Sequence, residues 1–361
     1  MKLHIVGGFL GSGKTTAIIT ATRYLISQGK KIGVVTNDMG SNLVDTAFFQ
    51  NKNIHTVEIA RGCFRCSFGE LAQKLSQLQD TEKPDIVFAE SVGSCGDLVA
   101  TVIKPLFNLK WSKTPPTSFT VFSDSQLLLY YLRGVELPFS EPIVYLFEKQ
   151  IEEAGLLILN KVDLLNPEQK TELKDRVNKA YPEKVIHFQT STRIEDVVGW
   201  LDILEKSPDR LPSKSIQIDY EQYGQGEMRL AWMNQELSIV SPVIPIGSLL
   251  IKFIGTLLQK LREQNSAICH LKFMVATPEN TVKISLSTIE QAGWQEELRG
   301  LRGSAARLLI NARIEIKAED LEAIVNDILR DLSKEPGIVI EEIDEDSFQP
   351  NFPRIVHRID D

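Results

Sequence analysis

The sequence contains few cysteines and histidines, with four of the first and five of the second among 361 residues. Four cysteines cannot form the disulfide framework of a secreted protein of this length, so we expect reduced thiols or metal ligands. This composition predicts a reducing compartment, and the cytoplasm is our expectation. Basic runs are also missing and the formal net charge is −8, which argues against DNA or RNA as a partner.

Long uninterrupted apolar runs are missing as well. The most apolar late stretch, residues 239–258, contains Pro242, Pro245 and Lys252, so no membrane-spanning helix is expected there. The apolar run at the N-terminus is short and rich in glycine, and we do not interpret it as a signal peptide. A membrane is therefore not an expected partner.

Residues 1–207 alternate apolar runs with helix-like segments. The seven runs that we predict as strands are KLHIVGG, KIGVVTN, HTVEIA, DIVFAE, SFTVFSD, GLLILNK and VIHFQTS. Runs that are apolar almost throughout are typical of parallel strands buried on both faces. The pattern predicts an α/β domain with a mostly parallel sheet flanked by helices.

The segment PDRLPSK at 208–214 combines proline with charge where the alternation ends, as linkers do. Residues 215–361 then mix strand-like and helix-like patterns, which predicts a smaller α+β domain. Two early segments, SIQIDYEQY and EMRLAWMN, are predicted as strands. One helix is predicted from apolar residues at helical spacing, namely Leu250, Phe253, Ile254, Leu257, Leu258 and Leu261.

Residues 8–15, GFLGSGKT, fit the phosphate-loop pattern G-x-x-x-x-G-K-[ST] directly after a predicted strand and at the start of a helix. Glycines let the backbone N–H groups wrap around phosphate oxygens, a lysine adds positive charge, and a threonine hydroxyl is a ligand for Mg²⁺. The predicted phosphate-binding set is Gly8, Gly11, Ser12, Gly13, Lys14, Thr15 and Thr16.

The tetrapeptide Asn160-Lys161-Val162-Asp163 follows the sixth predicted strand. A carboxylate at this edge of the sheet accepts the two N–H donors that guanine presents and adenine lacks. Asp163 is the predicted guanine reader, with Lys161 along the ring and Asn160 holding the loop. GTP and GDP are the expected nucleotides, and ATP is the lesser alternative. Asp124, at another strand end, is expected to cap a helix.

These motifs resemble the CobW/HypB/UreG family of metallochaperone P-loop GTPases, in its CobW-like branch. The resemblance rests on GGFLGSGKTT, VVTNDMG, RGCFRC, the element Glu90-Ser91-Val92-Gly93, and QIEEAGLLILNKVDLL. It implies that Asp38 and Glu90 lie near Mg²⁺ and the attacking water, and that Ser191 lies in the loop that closes on guanine. Lys14, Asp38 and Glu90 are then the expected catalytic residues, and Gly93 is expected to let its loop move toward the γ-phosphate.

Relatives of the CobW type carry C-x-C-C where this chain has Cys63-Phe64-Arg65-Cys66. Because two thiolates alone make a weak site for Zn²⁺ or Co²⁺, our hypothesis adds Cys95 as a third ligand for a transferred metal. The alternative is that these cysteines remain reduced and serve packing.

The expected function is a slow GTPase switch that assists delivery of a metal ion or metal-containing cofactor to a client metalloenzyme or corrinoid protein. A partner or a homodimer is expected to complete the active site, because no motif supplies an arginine for the transition state. Two alternatives stay open. The first is a GTP-gated regulator or reactivator of a corrinoid-dependent enzyme without metal handling, and the second is an ATP-dependent kinase or ligase.

Overall fold

The computed structural model describes residues 1–37, 56–59, 62–108, 116–206, 211–212, 214–289 and 292–360. Backbone contacts divide the chain into two compact units. The first extends to Gly226 and includes the segment from Pro353 onward, and the second extends from Glu227 to Phe352. Residues 208–210 and 213 of the predicted linker lie outside the described residues, so the boundary at 208–214 stays a prediction.

The first unit contains a seven-stranded sheet in the order β3-β2-β4-β1-β5-β6-β7, and each of its strand pairs is parallel. Its strands are β1 (Lys2–Gly8), β2 (Ile32–Asn37), β3 (Thr56–Ile59), β4 (Ile86–Glu90), β5 (Thr117–Asp124), β6 (Leu156–Asn160) and β7 (Val185–Gln189). The predicted α/β fold class is confirmed. Strands β5 and β6 are buried along their whole length, which explains why their sequences are apolar without alternation.

Helices connect these strands. They are α1 (Lys14–Ser27), α2 (Phe68–Thr81), a π-helical turn (Val99–Ile103) that runs into α3 (Lys104–Asn108), α4 (Ser125–Leu132), α5 (Glu141–Glu153), a 3-10 turn (Val162–Leu164), α6 (Pro167–Ala180), α7 (Ile194–Lys206) and α8 (Tyr220–Met228). The Asp124 carboxylate accepts hydrogen bonds from the backbone N–H groups of Gln126 and Leu127 at the start of α4, so its expected role as a cap is confirmed.

Helix α8 corrects one prediction, because SIQIDYEQY was expected to be a strand. The Asp219 carboxylate accepts hydrogen bonds from the backbone N–H groups of Glu221 and Gln222, at 2.9 and 3.2 Å. An aspartate that satisfies the free N–H groups of a first turn favours a helix over an extended segment. The second half of the alternating pattern is therefore helical, and the next strand begins only at Leu230.

The second unit contains a five-stranded antiparallel sheet in the order β10-β9-β11-β8-β12. Its elements are β8 (Leu230–Val240), α9 (Ile246–Glu263), β9 (Ile268–Ala276), β10 (Thr281–Leu286), α10 (Trp294–Arg299), β11 (Ala305–Glu315), α11 (Ala318–Leu332) and β12 (Val339–Phe348). All six apolar residues predicted for the face of α9 are buried in one core with residues of the sheet. The expected α+β class of this unit is thereby confirmed.

The C-terminal segment returns to the first unit. Arg358 Nε donates a hydrogen bond of 3.0 Å to Oδ2 of the fully buried Asp97, and the backbone N–H of Ile359 donates to the carbonyl of Ala100 at 3.0 Å. Tyr220 also donates its hydroxyl hydrogen to Asp97. In the described part of the chain, none of the helices combines the length and apolar character that a bilayer span requires.

Candidate nucleotide and thiol site

The phosphate loop joins β1 to α1 through three glycines in the left-handed region. Gly8, Gly11 and Gly13 have φ values of 126°, 74° and 87°, which other residues adopt only at a cost. A Cβ atom on Gly8 would lie 2.1 Å from the carbonyl oxygen of Phe122 on β5. Glycine at position 8 is therefore required both by its backbone conformation and by the close approach of the neighbouring strand.

Two polar side chains of this loop, those of Ser12 and Lys14, are buried. Lys14 is 6% exposed, and its ammonium group donates hydrogen bonds of 2.8 and 3.2 Å to the carbonyls of Gly8 and Phe9. The Ser12 hydroxyl is buried and has no hydrogen-bond partner among the described residues. Buried hydroxyl groups normally have a partner, so this loop fits a ligand with oxygen acceptors, as a phosphate at a helix N-terminus has.

An oxygen-rich pair lies beside the loop. The Thr15 hydroxyl donates a 2.8 Å hydrogen bond to Glu90 Oε1, and both side chains are buried. They meet because β4 pairs directly with β1, with Glu90 opposite Val6. A hydroxyl and a carboxylate are ligands that suit Mg²⁺. Asp38, the other carboxylate expected here, lies outside the described residues.

The loop after β4 lies against the phosphate loop. A Cβ atom on Gly93 would lie 2.6 Å from Leu10 Cδ2 and 3.0 Å from Leu10 Cα, so glycine is required by this contact. The Gln150 amide donates hydrogen bonds to the carbonyls of Gly93 and Cys95, at 3.0 and 2.8 Å. These two bonds fix the loop to α5, and sequence patterns did not single out Gln150.

The loop after β6 is bound to the phosphate loop by Asn160. Its Nδ2 donates a 2.7 Å hydrogen bond to the carbonyl of Ser12, and its Oδ1 accepts bonds from the Ser191 N–H and hydroxyl at 3.1 and 2.7 Å. A Cβ atom on Gly13 would lie 2.2 Å from Asn160 Nδ2. The structure thus brings Ser12, Gly13, Asn160 and Ser191 together.

Lys161 and Asp163 follow Asn160 on the same loop. Lys161 has a φ of 61°, and its ammonium group lies 3.2 Å from Asp124 Oδ2. The Asp163 side chain is exposed, and its Oδ1 accepts a 3.1 Å hydrogen bond from the Thr190 hydroxyl. This bond holds the carboxylate beside the loop that carries Ser191.

Three residues that sequence patterns did not single out stabilise the Ser191 loop. Thr20 on α1 donates its hydroxyl hydrogen to the Ser191 carbonyl at 2.8 Å, and the Gln189 amide donates to the Ser191 hydroxyl at 2.9 Å. Asp196 Oδ2 accepts a 2.7 Å bond from the Thr190 N–H. Thr16, expected to bind phosphate, is half-buried in the first turn of α1, and its carbonyl accepts a bond from Thr20.

The cysteine loop before α2 holds two thiols in contact. The Cys63 and Cys66 sulfurs lie 2.9 Å apart, and Cys95 is also within hydrogen-bond reach of Cys63. Hydrogen bonds with the Cys66 and Cys95 thiols, aided by the Arg65 charge, hold the pKa of Cys63 well below its ordinary value, although burial opposes them. The three cysteines of the hypothesis therefore lie together. In the described ranges, however, no group of three or more His, Cys, Asp or Glu side chains is arranged to hold a metal ion.

Arg65 contributes its positive charge to the thiol cluster, where it helps to lower the pKa of Cys63. It is fully buried, and its guanidinium carbon lies 4.7 Å from the centre of the Tyr223 ring. The Tyr223 hydroxyl donates to the Ser94 carbonyl and accepts from the Gly96 N–H, at 2.5 and 2.6 Å. Tyr223 thus contacts both the cysteine loop and the loop after β4.

The motifs of this site lie in a stretch of the chain that matches a known family. The family model described as CobW/HypB/UreG, nucleotide-binding domain, matches residues 2–188. A zinc chaperone CobW from Sinorhizobium is 26% identical over 196 residues, which cover 48% of this chain and 54% of that protein. A zinc-regulated GTPase metalloprotein activator 1 from Dictyostelium discoideum is 25% identical over 214 residues, covering 51% of this chain and 44% of that protein. The chain spans about half the length of these two relatives.

Among solved structures, HypB from Helicobacter pylori in complex with nickel matches with a TM-score of 0.41 and 18% identity, covering 60% of this chain and 92% of that one. Among relatives matched by sequence, the urease accessory protein UreG of Metallosphaera sedula is 26% identical over 222 residues, covering 56% of this chain and 93% of that protein.

Proposed function

Because the chain belongs to the CobW/HypB/UreG family of nucleotide-binding domains, we propose that it is a GTP-binding and GTP-hydrolysing switch protein that uses Mg²⁺. The observation that carries the proposal is the hydrogen bond from Asn160 to the Ser12 carbonyl. This hydrogen bond joins the phosphate loop to the loop that carries Asp163, the candidate guanine reader. One nucleotide would then contact both loops, with its phosphates at residues 8–16 and its base beside Asp163.

In this proposal Lys14 neutralises the β- and γ-phosphates, and Thr15 and Glu90 hold or orient the Mg²⁺ ion and its waters, with Asp38 as a further carboxylate. The metal ion supplies charge stabilisation to the γ-phosphate when bound. Glu90 is 2.8 Å from the Thr15 hydroxyl, and in this proposal its carboxylate also orients water for in-line attack. No sequence motif supplies an arginine for the transition state, and we therefore expect slow turnover unless a partner or a second copy contributes one.

We further propose that nucleotide turnover assists delivery of a metal ion or metal-containing cofactor to a client metalloenzyme or corrinoid protein in the cytoplasm. The names of the two relatives, a zinc chaperone and a metalloprotein activator, support this class of function. The cargo would be Zn²⁺ or Co²⁺, and the adjacent thiols of Cys63, Cys66 and Cys95 are the ligands proposed for it.

A second candidate function is a GTP-gated regulator or reactivator of a corrinoid-dependent enzyme that handles no free metal. Two observations favour it. Arg65, where relatives carry a cysteine, is buried against Tyr223. In addition, the described residues contain no group of three ligands arranged around a metal position.

Calorimetric titration with GDP, a non-hydrolysable GTP analogue and ATP, each with Mg²⁺, tests the nucleotide assignment. We expect guanine nucleotides to bind and ATP to bind far more weakly. Lys14→Ala should abolish binding or hydrolysis with the fold retained, whereas Lys174→Ala, an exposed lysine on α6, should behave as the wild type. Retained GTP turnover in Lys14→Ala, or stronger binding of ATP than of GTP, would refute the proposal.

Titration of the reduced protein with Zn²⁺ or Co²⁺ separates the two candidate functions. A Co²⁺–thiolate absorption band that differs between the GDP and GTP-analogue states supports metal delivery. Absence of any band in both states supports the metal-independent regulator.

A further inference from the structure

Cys63 and Cys66 form a pair of thiols whose geometry suits covalent chemistry between them. Their sulfurs lie 2.9 Å apart, and the Cys66 N–H donates a 3.3 Å hydrogen bond to the Cys63 sulfur. The turn that contains them leads directly into α2, with the Ser67 N–H donating to the Cys63 carbonyl at 2.8 Å. A C-x-x-C pair at the start of a helix is an arrangement in which thiolates are stabilised and reactive.

The backbone before and within this pair is fixed. The Phe64 N–H donates a 2.9 Å hydrogen bond to Asn37 Oδ1, and Asn37 Nδ2 donates to the carbonyls of Ile59 and Gly62. Asn37 is the last residue of β2, so the turn is attached to the sheet. Because the thiols are already in contact, joining them requires only a small movement of their side chains.

The two thiols differ in exposure. Cys63 is 2% exposed, whereas Cys66 is half-buried. A reagent in solution therefore reaches Cys66 more readily than Cys63, and Cys63 is in contact with it as the second thiol. This asymmetry is the arrangement that thiol–disulfide exchange requires, with one thiol that meets the external disulfide and one that resolves the mixed disulfide.

We propose that Cys63 and Cys66 are a redox-active dithiol, which a low-molecular-weight disulfide such as oxidised glutathione converts to an intramolecular disulfide. In the first step the Cys66 thiol passes its proton to the Cys63 sulfur, 2.9 Å away, and the Cys66 sulfur attacks one glutathione sulfur. A Cys66–glutathione disulfide forms, and the glutathione thiolate that leaves takes up that proton. In the second step the Cys63 thiolate attacks the Cys66 sulfur, the Cys63–Cys66 bond forms, and a second reduced glutathione leaves. Two protein thiols are oxidised and one glutathione disulfide is reduced to two thiols.

The effect of this oxidation on metal binding rests on the proposed function. A disulfide has no thiolate to offer a soft metal ion, so oxidation would remove two of the three proposed metal ligands at once. Cys95 would remain as a single thiol, which cannot hold Zn²⁺ by itself. The pair would therefore make metal loading conditional on a reducing environment.

Mass spectrometry after alkylation tests the disulfide without any metal. The full-length protein is equilibrated with excess oxidised glutathione, the remaining thiols are alkylated, and the peptides are analysed. We expect two of the four cysteines to lose alkylation as a Cys63–Cys66 disulfide that dithiothreitol reverses. Cys269 is the internal control, because burial raises the pKa of its thiol and it should remain reduced.

Single variants assign the order of the steps. Cys63→Ser should accumulate a glutathione adduct on Cys66, and Cys66→Ser should leave Cys63 reduced because the buried thiol is not reached. Cys95→Ser should still form the Cys63–Cys66 disulfide. Circular dichroism of each variant verifies that it is folded. Four alkylated cysteines in the folded wild type after equilibration, or a disulfide that joins Cys95 to Cys63, would overturn the proposal.

A competition assay with a zinc-sensitive chelator separates this proposal from the metal-delivery function. The reduced protein should bind Zn²⁺, the oxidised protein should lose that binding, and dithiothreitol should restore it. A reduced protein that binds no Zn²⁺ but forms the disulfide contradicts metal delivery and supports the dithiol. A protein that forms the disulfide but binds Zn²⁺ equally before and after oxidation supports the dithiol and contradicts Cys63 and Cys66 as metal ligands.

Discussion

The side-chain amide of Asn160 donates a 2.7 Å hydrogen bond to the backbone carbonyl of Ser12, which joins the loop after β6 to the loop after β1. The same side chain accepts two hydrogen bonds from Ser191 on the loop after β7. One buried amide therefore sets the positions of three loops at the carboxyl edge of the sheet. Ligands of open α/β sheets bind at this edge.

Asn160→Ala should lower both stability and guanine-nucleotide affinity. The substitution leaves a buried carbonyl at Ser12 and the donors of Ser191 without their partner, which costs about 2 kcal/mol in the free energy of unfolding. Urea denaturation and calorimetric titration with GDP measure the two effects. Asn178→Ala, an exposed asparagine on α6, is the control and should change neither. Unchanged GDP affinity in Asn160→Ala would contradict the role of this amide in arranging the site.

Asp163→Asn should change the base that the site prefers. The carboxylate accepts two guanine N–H groups, whereas an asparagine amide presents one acceptor and one donor. We expect GTP affinity to fall about 100-fold, which corresponds to about 2.7 kcal/mol. Xanthosine triphosphate carries a carbonyl in place of the exocyclic amine of guanine, so it should bind the variant better than GTP does. An equal fall in the affinity for GTP and for xanthosine triphosphate in this variant would show that Asp163 does not read the base.

Glu90→Gln should reduce GTP hydrolysis while preserving GDP binding. The glutamine can still accept the hydrogen bond from the Thr15 hydroxyl, so the local packing is kept, but the negative charge that orients water or a hydrated Mg²⁺ is lost. Loss of a general base lowers turnover by about 100-fold or more. Single-turnover hydrolysis measures the effect, with the exposed Glu168→Gln as the control. Wild-type turnover in Glu90→Gln would remove Glu90 from the reaction.

Local patterns predicted most of the first unit. Most of its strands are contiguous apolar runs. The phosphate loop and Asn160-Lys161-Val162-Asp163 are contiguous motifs whose meaning depends only on the strand that precedes them. The strand predicted at SIQIDYEQY was wrong because its local pattern is misleading. Five alternating residues indicate a strand, and the capping bonds from Asp219 that favour α8 are a matter of three-dimensional geometry.

Contacts between residues distant in sequence could not be predicted in this way. The Arg65 guanidinium packs on the ring of Tyr223, a residue that lies far along the chain in a different element. The return of the C-terminal segment, where Arg358 contacts Asp97, carries no local signal at all. Both contacts depend on which surfaces meet after the sheet has formed, and a single sequence gives no information about that.

Glu153 makes stability depend on pH. Burial, with a contribution from the Asp97 charge, raises the pKa of this carboxyl to about 8, and its Oε1 accepts a hydrogen bond from the Val99 N–H. In the unfolded chain the group ionises near its ordinary pKa. Between these two values the folded state therefore holds one more proton than the unfolded state, and stability falls as the pH rises.

Glu153→Gln removes this titration and keeps an oxygen to accept the Val99 bond. The wild type should lose stability relative to the variant by up to about 1.4 kcal/mol per pH unit as the pH rises from the ordinary glutamate pKa to about 8. Urea unfolding across that window measures the difference. Glu152→Gln changes the half-exposed neighbour and should keep the wild-type dependence of the unfolding free energy on pH. If the free energy of unfolding changes with pH in the same way in the wild type and in Glu153→Gln, the buried carboxyl ionises in the folded state at its ordinary pKa.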